Sequence, residues 1–175
     1  GGSGGHRRRA MGRIGPYPLE LELLSDPSCR NRPLKRPNLA IRFAVRRAGL
    51  ASVIPDPSLL LAILQREPRW EQHQQTLERA EVLRMSAGTL QELLLVAHCR
   101  GVLEPMQTLL ELIDPDVVPV DGDLAERALG IFKRFGKGQG HPAQLNFGDC
   151  FAAALAERDQ LPLGYIGDDF SKAGF

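Results

Sequence analysis

The stretch VVPVDGDLAERALGIFKRFGKGQGHPAQLNFGDCFAAALA, residues 117–156, carries the clearest structural pattern in the chain. It opens with a short β-branched run that predicts a strand. Residues 121–136 then place apolar side chains at helical spacing and end on a glycine, which predicts an amphipathic helix. A glycine-rich loop leads into LNFGDCFAAALAERD, residues 145–159. This segment is apolar on nearly every side until Glu157, so it predicts a buried helix.

The same alternation of strands and helices extends outward in both directions. On the N-terminal side the sequence predicts strands at 51–54 and 82–87 and helices at 57–67, 68–81, 88–100 and 103–113. On the C-terminal side, LPLGYIGDDF at 161–170 predicts a last strand that runs into two acids. Such alternation is typical of an α/β fold with a mainly parallel sheet.

Charge divides the 175-residue chain into two parts. Residues 1–50 hold 11 Lys+Arg and 3 Asp+Glu, a balance of +8, whereas residues 51–175 hold 11 and 18, a balance of −7. We therefore expect a basic, Pro/Arg-rich and poorly ordered extension over 1–50, which starts with a linker-like GGSGG, and one folded domain over 51–175. An electrostatic arm for RNA or another polyanion is the alternative interpretation of the extension.

Several classes of protein are disfavoured by the composition. No apolar run approaches the roughly 20 residues that span a bilayer, so we expect no membrane segment. Three cysteines without a C-x-x-C pair predict neither a disulfide framework nor a zinc site and favour reduced thiols in a cytoplasmic protein. Cys150 has no visible histidine partner, which makes a cysteine nucleophile improbable.

Glu92 is an acid in an unexpected place within the predicted helix 88–100. Leu95, Val96 and Cys99 lie three, four and seven residues beyond it, so its side chain projects along an apolar stripe without a cation to pair with. A buried, unpaired carboxylate is costly and points to a functional site. A partly exposed glutamate that favours the start of its helix is the alternative.

Asp149 raises the same question near the start of the buried helix. Its helical neighbours Ala152, Ala153 and Ala156 are small and uncharged, which leaves room for a ligand and offers no counter-charge. Equally, Asn146 is suited to be the N-cap, with Asp149 as the N3 residue of a capping box. The residues alone do not decide between a cap and a functional site.

Other acids follow the predicted first and last strands. Asp56 comes directly after the first strand, and Asp168 and Asp169 end the last one. Acids at such positions also serve as ordinary turn residues. In a parallel α/β unit, however, strand ends and helix starts meet at one edge of the sheet, where ligands bind. Carboxylates gathered there would repel one another, and Mg²⁺ or Mn²⁺ would relieve that repulsion.

Four segments, in order over residues 52–173, resemble the PIN-domain endoribonucleases, especially the VapC-type toxins of bacterial toxin–antitoxin pairs. They are VIPDPSLLLAILQREP, MSAGTLQELLLVAHCRG, the 117–156 stretch quoted above, and LPLGYIGDDFSKAGF. The resemblance implies a PIN-like three-layer α/β/α sandwich with a mainly parallel sheet. It also implies Mg²⁺- or Mn²⁺-dependent hydrolysis of RNA phosphodiester bonds.

The resemblance assigns roles to individual residues. It implies a catalytic, metal-binding tetrad of Asp56, Glu92, Asp149 and Asp169, with Asp168 as an extra or substitute ligand. Ser58 would support the site by a hydrogen bond. The expected partners are the RNA substrate, a cognate antitoxin and a second copy of the chain in a homodimer.

A basic group near the glycine-rich loop is a candidate RNA contact. Lys133, Arg134 and Lys137 precede Asp149 and could hold RNA phosphates. The alternative is that Lys133 and Arg134 stabilise the C-terminal end of their helix. The alternative function for the whole domain is that of a catalytically impaired PIN-like module, which acts by binding an antitoxin or RNA.

Overall fold

The computed structural model describes residues 52–175, and the predicted extension over 1–50 lies outside the described residues. The strands are β1 (Ile54–Pro55), β2 (Arg84–Ser86), β3 (Asp116–Val118) and β4 (Leu163–Gly164). The helices are α1 (Pro57–Gln65), α2 (Trp70–Arg79), α3 (Ala87–Cys99), α4 (Leu103–Ile113), α5 (Gly122–Phe135), α6 (Phe147–Asp159) and α7 (Asp169–Ala173). No helix in this part of the chain is long and apolar enough to cross a bilayer.

The strands form a parallel sheet in the order β3–β2–β1–β4. β1 pairs with β4 and β2 pairs with β3, both in parallel. A parallel bridge between Val53 and Leu83 joins the two pairs. β1 is therefore central, and the predicted parallel α/β arrangement is confirmed.

Two hydrophobic clusters lie on opposite faces of this sheet. Successive strand residues point to opposite faces, so Val53 belongs to one cluster and Ile54 to the other. The first cluster takes its helical residues from α1–α4, and the second takes most of its residues from α5 and α6. Helices on both faces of one sheet make the three-layer α/β/α sandwich that the resemblance implied.

The helix α6 is the one that the sequence predicts to be buried. Seven of its residues are buried, including the run from Ala152 to Ala156. Alanines are short enough to let the helix backbone approach both the sheet and the flanking helices. The prediction of a helix buried nearly all round is confirmed, except that Phe147 in its first turn is 78% exposed.

The last predicted strand is wrong in its extent. β4 ends at Gly164, and Asp168 and Asp169 do not end a strand but begin the short helix α7. Gly167 takes a positive φ of 106°, a conformation that turns the chain out of the strand and that few other residues tolerate. The two acids thus lie beyond the end of β4, at the start of α7.

Candidate active site

Asp56 lies where the central strand β1 passes into α1. Its backbone N–H donates to Gly164 O at 2.8 Å, which continues the pairing with β4. Its Oδ2 accepts the N–H of Ser58 at 2.9 Å and the hydroxyl of Ser58 at 2.6 Å. Its Oδ1 is buried without a hydrogen-bond partner. Burial raises the pKa of this carboxyl, although the two bonds from Ser58 oppose that shift.

Ser58 holds Asp56 and also ties α1 to the end of the sheet. While its hydroxyl donates to Asp56, its Oγ accepts the backbone N–H of Ile166 at 3.0 Å. The hydroxyl therefore links Asp56 to the turn that leads to Asp169. Ser58 thus makes a hydrogen bond to Asp56 of the kind that the resemblance implied.

Glu92 is partly buried, but not by the stripe that the sequence indicated. Leu95 is 41% exposed, and the buried side of α3 is formed by Thr89, Leu93 and Ala97. The Glu92 carboxylate instead packs over α6 at Gly148. Its Oε1 accepts from Asn146 Nδ2 at 3.3 Å, and its Oε2 is buried without a partner. The apolar stripe is interrupted at the exposed Leu95, and the atoms that cover Glu92 come from a helix distant in sequence.

The pKa of Glu92 is raised to about 7. Burial is the largest cause, followed by the negative charges of Asp149 and Asp56, while the hydrogen bond from Asn146 acts in the opposite direction. These contributions show that the three acids, from three different elements, lie within electrostatic reach of one another.

Asp149 is both a capping residue and a member of this acidic group. Its Oδ2 accepts the backbone N–H of Asn146, and the Asn146 side chain accepts the N–H of Asp149, so the predicted capping box is confirmed. The pKa of Asp149 is nevertheless raised to about 6, chiefly by burial and then by the charges of Asp56 and Asp169. The hydrogen bond from Asn146 only partly offsets these effects.

Asp169 and Asp168 differ in their relation to the group. Asp169 is exposed at the start of α7, and its charge contributes to the raised pKa of Asp149. Asp168 pairs closely with Lys172, at 2.7 Å, and that hydrogen bond lowers the pKa of Asp168, whereas the same Lys172 lies 4.0 Å from Asp169. Of the two neighbouring acids, Asp169 is therefore the one joined electrostatically to the acidic group.

The donor set suits a hard divalent cation. Two buried carboxylate oxygens, Asp56 Oδ1 and Glu92 Oε2, lack partners, and no cation within residues 52–175 forms an ion pair with Asp56, Glu92 or Asp149. Over the same residues, no group of three or more His, Cys, Asp or Glu side chains is arranged so that it could hold a metal ion without rearrangement. Mg²⁺ commonly binds through one or two carboxylates and keeps several waters, so an open set of this kind fits it.

The basic candidates lie at the end of α5 and in the following loop. All three are exposed, and Arg134 is engaged by Glu157 of α6 through bonds of 3.0 and 2.9 Å. The backbone N–H of Lys137 donates to Leu145 O at 2.9 Å, directly before the N-cap of α6. Lys137 is therefore anchored next to the helix start that carries Asp149.

Cys150 adjoins Asp149 but is not suited to be a nucleophile. Burial, reinforced by the charges of Asp149 and Glu92, raises the pKa of its thiol to about 12. Its Sγ donates to Asn146 O at 3.1 Å. The side chain therefore remains a protonated thiol at neutral pH.

Comparison with known proteins identifies the family to which this fold belongs. The family profile of the PIN domain matches residues 53–175. The chain belongs to the PIN-domain family. It is 36% identical over 122 residues to ribonuclease VapC42 of Mycobacterium tuberculosis, a match that covers 68% of this chain and 93% of the relative. It is 32% identical over 134 residues to VapC ribonuclease R02377 of Rhizobium meliloti, covering 67% and 94%.

A solved structure supports the same fold for this PIN domain. The toxin VapC20 of Mycobacterium tuberculosis superposes with a TM-score of 0.57 at 19% identity, covering 70% of this chain and 95% of VapC20. The resemblance to PIN domains and the predicted sandwich are both confirmed.

Two contributors to the site were not recognised from the sequence. Asn146 was expected only to cap α6, yet its amide also donates to Glu92. Gly148 was given no role, although the Glu92 carboxylate lies against it. A glycine within the first turn of an otherwise alanine-rich helix was the one available signal, since alanine is the better helix former.

Proposed function

We propose that this PIN domain is a Mg²⁺- or Mn²⁺-dependent endoribonuclease of the VapC type that hydrolyses RNA phosphodiester bonds. We assign metal binding and catalysis to Asp56, Glu92, Asp149 and Asp169. Asp168 is a less suitable ligand because Lys172 already pairs with it. Ser58 supports Asp56, and Lys137, Lys133 and Arg134 are the proposed phosphate contacts.

The observation that carries this proposal is the electrostatic coupling of the acids. Asp56 and Asp149 both raise the pKa of Glu92, and Asp56 and Asp169 both raise that of Asp149. A protein gains nothing in stability from gathering carboxylates that repel one another. Such clusters are instead typical of functional sites, where a cation or substrate completes the set.

The chain's own groups suit hydrolysis of a phosphodiester. When bound, Mg²⁺ or Mn²⁺ would neutralise charge on the phosphate and lower the pKa of a water. Ser58 keeps Asp56 Oδ2 occupied, which leaves Oδ1 available to a ligand. The Oε2 of Glu92 has no hydrogen-bond partner in the protein and would be available to a water placed beside it. Lys137 would hold a neighbouring phosphate as a positive charge.

The proposed partners follow from membership of the VapC group. They are an RNA substrate, a cognate antitoxin and a second copy of the chain. An enzyme with cellular RNA as its substrate would act in the cytoplasm.

Cleavage of total RNA tests the proposal directly. We expect the wild-type protein to cleave with Mn²⁺ and to be inactive in EDTA. Glu92→Gln should abolish cleavage while leaving the fold intact, and Glu111→Gln, at an exposed position in α4, is the matched control. Wild-type protein that binds RNA but never cleaves it with Mn²⁺ would refute the enzyme and favour the binding module.

A further inference from the structure

The helices α3 and α6 approach each other closely at two glycines. Gly88 of α3 faces Phe151 of α6, and a Cβ at position 88 would stand 2.7 Å from Phe151 Cδ2. Gly148 of α6 faces Glu92 of α3, one turn further along α3. Each glycine therefore leaves space for one side chain of the opposite helix.

The space above Gly148 is filled by the carboxylate of Glu92. A Cβ built at position 148 would overlap Glu92 Oε2 and Cδ, and would stand only 2.6 Å from Oε1. The three nearest atoms to that Cβ all belong to this one carboxylate. Any larger residue at 148 would therefore push the carboxylate of Glu92 out of its present place.

The backbone of α6 gives no independent reason for a glycine. Gly148 lies within regular helix and is not among the glycines with positive φ. Alanine would be the better helix former at such a position. The contact with Glu92, and not the backbone conformation, is therefore the reason that position 148 requires a glycine.

Asn146 holds the same carboxylate from the other side. Its Nδ2 donates to Glu92 Oε1 at 3.3 Å, while its Oδ1 accepts the N–H of Asp149 at 2.8 Å. The backbone donor fixes which side-chain atom is the oxygen, so the amide necessarily turns its nitrogen toward Glu92. The first turn of α6 thus positions one proposed ligand, Glu92, and contains another, Asp149.

We propose that Gly148 is a positioning residue for Glu92, keeping its carboxylate at the metal-binding edge, with Asn146 as the hydrogen-bonding partner. This inference rests on the proposed function, because it takes Glu92 to be a metal ligand. Gly148 has no side chain with which to bind RNA or metal. Its effect on the site passes entirely through the position of the Glu92 side chain.

Mn²⁺ titration calorimetry on the full chain, without RNA, tests the proposal. Residues that orient metal ligands typically affect metal affinity by about 10–100-fold, and we expect a loss in that range for Gly148→Ala. The melting temperature should change little, because the overlapped atoms are the flexible end of a glutamate. Gly130→Ala is the matched control, since nothing lies within 4 Å of a Cβ at that helical position. Its Mn²⁺ affinity should equal that of the wild type.

A double-mutant cycle separates positioning from general packing. In a Glu92→Gln background, Gly148→Ala should cause no further loss of Mn²⁺ affinity, because the ligand it displaces is already gone. Gly88→Ala disturbs the same contact between the two helices, at Phe151. Any change that it causes in Mn²⁺ affinity should be the same with and without Glu92. An unchanged Mn²⁺ affinity in Gly148→Ala, or an equal loss in both backgrounds, would overturn the proposal.

A second variant keeps the test decisive if Gly148→Ala folds poorly. Asn146→Ser keeps a good helix cap but lacks the amide donor to Glu92. It should weaken Mn²⁺ binding in the wild-type background and not in Glu92→Gln, and equal losses in both would count against positioning. If the loss of Mn²⁺ affinity depends on Glu92 but the wild-type protein never cleaves RNA, the nuclease proposal alone is refuted. If the wild type cleaves RNA normally but the loss of Mn²⁺ affinity is the same in both backgrounds, the positioning role alone is refuted.

Discussion

Asn146 and Asp149 hold each other at the start of α6: Asp149 Oδ2 accepts the backbone N–H of Asn146 at 2.7 Å, and Asn146 Oδ1 accepts the N–H of Asp149 at 2.8 Å. The same Asp149 has its pKa raised to about 6 by burial and by two neighbouring acids. Capping and a place in the acidic group are therefore compatible roles. The reciprocal bonds fix the position of a carboxylate that would otherwise turn away from its like-charged neighbours.

The first prediction concerns stability and pH in the absence of divalent ions. The pKa of Glu92 rises from 4.5 to about 7 on folding, so the folded state holds this proton more tightly than the unfolded chain. The resulting stabilisation is fully present below about pH 4.5 and is lost as the pH rises through 7. Glu92→Gln imitates the protonated form and should avoid this loss. We expect it to match the wild type near pH 4 and to melt several degrees higher at pH 8.

Adding Mn²⁺ should reverse this order at pH 8. The ion binds only the native wild-type site and should raise its melting temperature, with a much smaller rise in Glu92→Gln. Glu111→Gln, at an exposed site, should follow the wild type throughout. If the difference in melting temperature between Glu92→Gln and wild type, measured without divalent ions, does not grow with pH, the raised pKa of Glu92 is contradicted.

The second prediction concerns Ser58, whose hydroxyl serves Asp56 and the backbone of Ile166 at once. Ser58→Ala leaves the Ile166 N–H without its acceptor and removes the 2.6 Å donor to Asp56. Loss of a partly buried polar partner costs about 1–3 kcal/mol, which urea unfolding would measure. The variant should also bind Mn²⁺ more weakly, because Asp56 is then free to rotate. Ser171→Ala, an exposed hydroxyl bonded to Asp168 O, is the control and should change neither quantity.

The order of elements could be predicted from the sequence because it depends on local patterns. Helical spacing over α5 and the apolar run of α6 are properties of adjacent residues, and both helices lie where the pattern indicated. Asp56 followed its strand as expected, since a strand that ends on Asp-Pro has few other options. The structure of the last segment, LPLGYIGDDFSKAGF, was harder to predict from the sequence. The turn at Gly167 and the short helix α7 depend on few residues, and those residues have weak conformational preferences.

The interior of the site could not be predicted because its contacts are long-range. Glu92 and Asn146 are 54 residues apart in the chain, and only the packing of α3 on α6 brings them together. A helical projection identified Glu92 as unusual because it lies along a stripe of Leu95, Val96 and Cys99, but Leu95 is 41% exposed and the stripe does not show what covers the carboxylate. Which side of α3 meets the next layer depends on the whole sandwich, and that information is absent from the helix itself.

The third prediction concerns the basic extension. Within residues 52–175 the two hydrophobic clusters already draw on both faces of the sheet, and relatives such as VapC42 are covered over 93% of their length by the matching portion of this chain. Deleting residues 1–50 should therefore leave the circular dichroism spectrum, melting temperature and Mn²⁺-dependent cleavage unchanged. Insoluble or unfolded truncated protein would show that the extension belongs to the domain. Unchanged folding with weaker RNA binding and a shallower salt dependence would instead support an electrostatic arm.

The last prediction separates the two roles of Asp149. Asp149→Asn keeps an oxygen that can accept the Asn146 N–H, whereas Asp149→Ala removes that acceptor and should cost roughly 0.5–2 kcal/mol in helix capping. The asparagine variant also removes one of the repelling charges, so without metal it should melt at or above the wild-type temperature. Both variants should nevertheless lose the melting-temperature rise with Mn²⁺ and the Mn²⁺-dependent cleavage of total RNA, with EDTA-treated wild type as the zero reference. Full Mn²⁺-dependent cleavage by a stable Asp149→Asn would reduce Asp149 to a cap and remove it from the proposed metal site.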